Sequence, residues 1–218
     1  MRTALILTLG FDERFCYRAI LRHGVSEDDK IVLFSGRVVE RVERAYEWIR
    51  TFLRASYPNV ETRLVELNVN DVIGSLERVL RVINELKGYR LVVNLSGGMR
   101  VLSMIVLFAL ILAGIRDLML EVELEDFSGV VEIPNALLLL PSVKASMTEE
   151  KLTILKLVAE GKDDVRSIAE SLGKDESTVR RHLAALEKHG LIKIEKRKPL
   201  KVRPSNLLSL MLLNLTHN

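Results

Sequence analysis

One cysteine, Cys16, is the entire thiol content of this 218-residue chain. That excludes an internal disulfide and a cysteine-based zinc site of the usual four-ligand kind, and it points to a reducing, cytoplasmic setting. Proline (5 residues) and tryptophan (1) are scarce, and no internal repeat or low-complexity tract is visible. Neither sign of charge dominates: 32 Lys and Arg face 29 Asp and Glu, a formal +3 that names no partner. Long apolar runs are also missing. The longest covers residues 101–113, which are 13 residues including Ser103. A bilayer span needs about 20, so this run reads as a buried helix and no membrane partner is expected. The apolar stretch 4–9 lacks the longer core and the small-residue cleavage site of a secretory signal. With 48% hydrophobic and 28% charged residues, the composition is that of a folded globular protein.

The length suits one or two domains. Up to about Pro141 short β-type runs alternate with helical patterns, which is the grammar of an α/β fold. Strands are expected at residues 4–9, 31–34, 60–67, 91–95, 117–124, 130–133 and 136–140, and helices between them, one capped by Asp71. Residues 91–95 form a nearly continuous apolar run, as in a central parallel strand covered on both faces. Right-handed crossovers would build a Rossmann-like three-layer sandwich from these parts. The expected division is a sandwich domain over 1–141, a polar linker over 142–147, and a helical domain over 148–218.

In the second half, helices are expected at 148–160, 165–172 and 175–189. Ala169 and Gly173 stand four residues apart, which suits the close crossing and tight turn of a helix-turn-helix. Val179, Leu183 and Leu186 share one face of the third helix, turning Ser177, Thr178, Arg181 and Lys188 outward with Arg180 on the flank. Two strand-like runs then enclose Lys196, Arg197, Lys198 and Pro199, the pattern of a wing with a basic tip. From Arg180 to Arg203 there are nine Lys and Arg against two acidic residues, Glu187 and Glu195. Cations so concentrated neutralise DNA phosphates, while Ser, Thr and Arg on the third helix reach base edges. Double-stranded DNA is the expected partner; a solvated charge run on a protein-contact module is the plainer alternative. The apolar stretch 206–215 is expected to pack either between subunits or on its own domain.

In the first half, Asn94-Leu95-Ser96-Gly97-Gly98-Met99-Arg100 ends one strand and opens the apolar helix. Gly97 and Gly98 let backbone amides converge into an anion-binding nest, Ser96 adds a hydroxyl, and Arg100 a planar fork suited to phosphate. The loop Thr8-Leu9-Gly10-Phe11-Asp12, at a neighbouring strand end, would share the crevice, with Phe11 available to stack on a base. A glycine pair alone also serves as a plain turn. G-x-G-x-x-G and the Walker lysine are both absent, so neither nicotinamide binding nor ATP hydrolysis is favoured. His23, His182, His189 and His217 have no partners at metal-ligand spacing, so no metal is expected and helix-surface or DNA-backbone positions are the expected ones. Trp48, in one stripe with Tyr46 and Phe52, reads as core, as does Cys16.

These two loops, followed by a winged helix, resemble the CRISPR-associated Rossmann fold (CARF) regulators, specifically the archaeal winged-helix transcription regulators of CRISPR systems. Ser96-Gly97-Gly98-x-Arg100 is the most specific part of the likeness, which covers nearly the whole chain. The resemblance implies a homodimer whose paired CARF domains bind cyclic oligoadenylate, cyclic tetra-adenylate foremost, in a two-fold pocket. It assigns Leu9, Gly10, Phe11, Asp12, Ser96, Gly97, Gly98, Met99 and Arg100 to that ligand, beside Thr8 and Asn94 of the same two motifs. It implies no further cofactor, and a CRISPR-associated promoter as the DNA. Some relatives of this fold cleave their ligand, so the alternative is a slow ring nuclease whose winged helix only localises it. Asp12 is then a conceivable base, although no catalytic residue is assigned.

Overall fold

The structure, a computed structural model, describes residues 2–213; His217 and the end of the apolar stretch 206–215 lie outside the described residues. The chain divides into two compact units, one up to Leu138 and one from Leu139.

The first unit is built on a six-stranded sheet: β1 (Thr3–Leu9), β2 (Lys30–Ser35), β3 (Glu61–Glu66), β4 (Arg90–Asn94), β5 (Leu118–Glu123) and β6 (Val130–Ile133). Their order is β3-β2-β1-β4-β5-β6, all parallel except the antiparallel β6. Alternation along the strands divides the core. Leu5, Leu7, Leu33 and Val92 pack with α1 (Arg14–His23) and α2 (Glu40–Ser56). Ala4, Ile6, Phe34 and Val93 pack in the other core, with α3 (Val72–Glu85) and α4 (Arg100–Ala113). This is the expected Rossmann-like sandwich, and Asp71 caps α3 by accepting from the Gly74 amide at 3.0 Å. The strand order reverses between β1 and β4, which pair with Leu7 opposite Asn94. Their C-terminal ends therefore flank the crevice where open α/β sheets take ligands.

The second unit comprises α6 (Glu149–Ala159), α7 (Val165–Leu172), α8 (Glu176–Lys188), the hairpin β7 (Ile192–Arg197) and β8 (Leu200–Pro204), and α9 (Asn206–Leu213). Asp164 caps α7 by accepting from the Ser167 amide at 2.9 Å, and left-handed Gly173 (φ 61°) ends it. Ile154, Ile168, Val179, Leu183, Leu186 and Val202 form the core, joined by Leu208 and Met211 of α9. The apolar tail thus packs on its own domain through those two residues, leaving Leu210 and Leu213 exposed.

Three expectations need correction. Residues 136–140 are not a strand: they belong to α5 (Asn135–Ala145), which carries Pro141 and absorbs most of the expected linker. Leu138 packs in the first core and Val143 in the second. A five-residue apolar run is too short for periodicity to separate strand from helix. Helix α4 is buried on one side only, since Met104, Phe108 and Leu112 are 53%, 49% and 66% exposed. Trp48 is not core but 64% exposed, on the rim of a separate apolar cavity of about 570 Å³ with Tyr17 and Phe52.

Candidate ligand cavity and nucleic-acid interface

A cavity of about 600 Å³ opens at the strand ends of the first unit. Leu9, Gly10, Phe11 and Asp12 line it from the loop after β1, and Ser96, Gly98 and Met99 from the turn before α4. The two backbones touch. A Cβ on Gly97 would stand 2.2 Å from the Thr8 carbonyl oxygen, and one on Gly10 would stand 2.8 Å from the Gly98 Cα. Gly98 in addition holds a φ of +78°, the left-handed region that side chains disfavour. Any other residue at 97 would force the loops apart. Among the described residues, the amides of Gly97, Gly98, Met99 and Arg100 donate to no protein acceptor, and those of Gly98 and Met99, which line the cavity, are left for an anion.

Not every sequence-derived site residue faces the cavity. Thr8 and Asn94 are both 1% exposed, so they shape the site from inside rather than meet a ligand; the same strand pairing that aligns the loops buries them. Gly97 is buried as well, and Arg100, exposed at the first turn of α4, lies outside the cavity lining of a single chain. Asp12 is taken by Arg14, whose Nε lies 2.9 Å from both carboxylate oxygens, and hydrogen bonding from Arg14 holds its carboxyl below the usual range. Two residues missed in the sequence join the site. Arg37 follows the C-terminal end of β2 and lines the cavity; the strand-end rule applied to β2 would have found it. Arg41 lies over the Phe11 ring, 4.5 Å from its centroid, and Phe11 is 56% exposed. Neither Arg37 nor Arg100 is ion-paired within the described residues.

In the second unit, Ser177, Arg180, Arg181 and Lys188 project from α8 into solvent, with Thr178 half-buried. Arg180 is tethered to Glu176 at 3.2 Å, one turn earlier. Lys196 and Arg197 extend strand β7, so the wing tip is only Lys198 and Pro199; all three cations are exposed. Two others are neutralised, Lys201 by Asp163 at 2.7 Å and Arg203 by Glu195 at 3.0 Å. His182 is turned inward against Glu150 at 3.3 Å, not out toward solvent. Arg181 and Lys188 on α8 and Lys196, Arg197 and Lys198 on the wing carry no ion pair among the described residues and face solvent, as a major-groove reader with a phosphate-contacting wing requires.

Residues 3–134 match the Csa3 CRISPR-associated Rossmann-like domain, and residues 148–193 match the arsR family of bacterial regulatory proteins. The chain belongs to the Csa3 CRISPR-associated Rossmann-like family. No curated protein matches it. With its helix-turn-helix domain, this Csa3-type protein is a CRISPR-associated DNA-binding regulator. Among the described residues, no helix is long and apolar enough to cross a membrane, and no group of three or more His, Cys, Asp or Glu side chains converges as metal ligands.

Two further features surround the Csa3-type cavity. On α4, Val101, Met104, Phe108 and Leu112 form an exposed apolar stripe that begins next to Arg100. Behind the cavity, Glu121 and Glu123 of β5 are 3% and 2% exposed. Glu121 accepts from Arg22 Nη2 at 2.6 Å and Asn94 Nδ2 at 2.9 Å, and meets His23 Nε2 at 2.9 Å. Glu123 is bound by Arg18 and, at 3.4 Å, by Arg22 Nη1. Burial raises the Glu121 pKa, but hydrogen bonds from His23, Arg22 and Asn94 outweigh it and hold the group at about 2. The expected helix-surface role of His23 is corrected by this pairing. Cys16, as expected, is a core residue, and burial pushes its thiol up to about 12.

Proposed function

We propose that this protein is a homodimeric sensor that binds a CRISPR-associated promoter and changes its affinity for it when cyclic oligoadenylate, cyclic tetra-adenylate foremost, occupies the paired cavities. The observation that carries the reading is the glycine-packed turn: the amides of Gly98 and Met99 on the cavity wall, unclaimed among the described residues, beside the guanidinium groups of Arg37 and Arg100, which have no ion pair among those residues, and the exposed ring of Phe11. Amides and guanidinium suit phosphate, and an aromatic face suits a base. The dimer is supported by the α4 stripe, an apolar patch of the kind that marks a protein interface. A two-fold axis along it would bring both copies of Arg100 and both turns to one symmetric ring, each subunit binding an equivalent half.

Ligand cleavage is not part of this reading, because both carboxylate oxygens of Asp12, the conceivable base, are engaged by Arg14, whose hydrogen bonds lower its pKa and so make it a weaker proton acceptor. The deciding experiment is a titration of promoter binding with and without cyclic tetra-adenylate. A shift of the promoter Kd is expected; identical curves, with ligand binding demonstrated separately, would show two independent functions and sink the sensor. Following labelled ligand in the same samples tests the ring-nuclease alternative: a linear product would bring it back.

A further inference from the structure

The face of the sheet turned toward α1 and α2 is aliphatic at Leu5, Leu7, Leu33 and Val92, yet β5 places two carboxylates there. A buried ion cluster is no more stabilising than well-packed aliphatic side chains of the same volume, so stability alone does not account for it. Three of its connections lead to a wall of the cavity. Asn94 takes the Ser96 amide on its Oδ1 at 3.1 Å while its Nδ2 donates to Glu121. The Ser96 hydroxyl oxygen accepts from the Glu123 amide at 2.7 Å, which leaves its own hydrogen to donate outward. Arg18, bound to Glu123, also reaches the Phe127 carbonyl oxygen at 3.4 Å, and Phe127 lines the same cavity.

Resting on the ligand reading above, we propose that Asn94 and Glu121 are positioning residues, which hold the Ser96-Gly97-Gly98 turn in its anion-binding shape from behind without touching the ligand. Asn94 is the joint: it consumes the one amide of the turn that does not serve an anion and fixes where the next ones begin. Glu121, pinned by Arg22 and His23, keeps the Asn94 amide from flipping. The chemistry at the front, amides and a serine hydroxyl aimed at phosphate, is thereby set by residues that are 1% and 3% exposed.

The test uses the full chain with Asn94→Leu, which keeps the size but cuts the joint while Glu121 retains Arg22 and His23. Asn94→Ser, too short to span both partners, is the second variant, and Glu121→Gln, which keeps an oxygen for Asn94, is the conservative control. Stranding a buried donor costs about a factor of ten. In both Asn94 variants we expect affinity for cyclic tetra-adenylate to fall about a hundredfold, roughly tenfold for each of the two turns that grip one ring, with ligand-free promoter affinity unchanged. The amide order parameters of Gly97 and Gly98 should fall from about 0.85 to below about 0.6. Glu121→Gln should stay within about threefold of the wild type. Unchanged order parameters in a folded Asn94 variant would overturn the proposal, as would equal losses of ligand and promoter binding. Should the turn loosen as expected while the wild type fails to bind the nucleotide, positioning stands and the ligand reading falls.

Discussion

Arg100 and Glu121 show how differently two charged side chains serve one site. Arg100 is exposed, carries no ion pair within the described residues, and stands at the first turn of α4 beside unclaimed amides. Its removal strips a charge-assisted contact and disturbs no packing. Arg100→Ala is expected to weaken cyclic tetra-adenylate binding by about 3–6 kcal/mol, the worth of one hydrogen bond to a charged group from each of the two subunits that share a ring, with ligand-free promoter binding intact; calorimetry on the purified protein checks it. Glu121 is the reverse case, buried and held at about 2 against an ordinary 4.5. Its folded-state pKa is depressed, so its contribution to stability is complete above about 4.5 and is lost as pH falls toward about 2. Urea midpoints of wild type and Glu121→Gln should therefore differ at pH 6, with the gap narrowing by pH 3. A constant gap would mean that the ionised form is not what the cluster stabilises.

Helix α4 and the wing act as whole units, and each carries its own expectation. Placing a charge in the apolar stripe, as in Phe108→Glu, should yield a folded monomer in sedimentation velocity and a large loss of ligand affinity, because half the site is gone. In the wing, Lys196, Arg197 and Lys198 contact phosphates in this reading. Their joint replacement by Ala should lower the slope of log affinity against log salt by about 5, at roughly 0.9 per contact for three contacts in each wing of the dimer, while preserving discrimination between operator and random DNA. Arg181→Ala on α8 is expected to relax that discrimination instead. The sequence made these elements legible wherever the signal was local. The β1 and β4 runs, the glycine turn and the spacing of Ala169 and Gly173 each announce themselves within a few residues. It hid those whose meaning lies elsewhere in the chain: the partners of Glu121 and Glu123 on α1 are about 100 positions away. Residues 136–140 misled because an apolar run of that length has no period of its own, and α4 because an exposed apolar face and a buried one look alike in one dimension.

For the protein as a whole, ligand and DNA affinities are tied by thermodynamics. Whatever factor the nucleotide imposes on promoter binding, the promoter must impose on nucleotide binding. Measuring the cyclic tetra-adenylate Kd with and without saturating operator should return the factor found in the promoter titration, and a mismatch would expose a linked third process such as a change of oligomeric state. In the homodimer proposed above, paired through the stripe of Met104, Phe108 and Leu112, gene dosage becomes a control knob. When unpaired chains predominate, complete detectors accumulate with the square of how many copies the cell makes. Halving expression leaves only about a quarter of them by mass action, and a sparsely expressed regulator would be deaf to its alarm signal however tightly each finished pair could bind it.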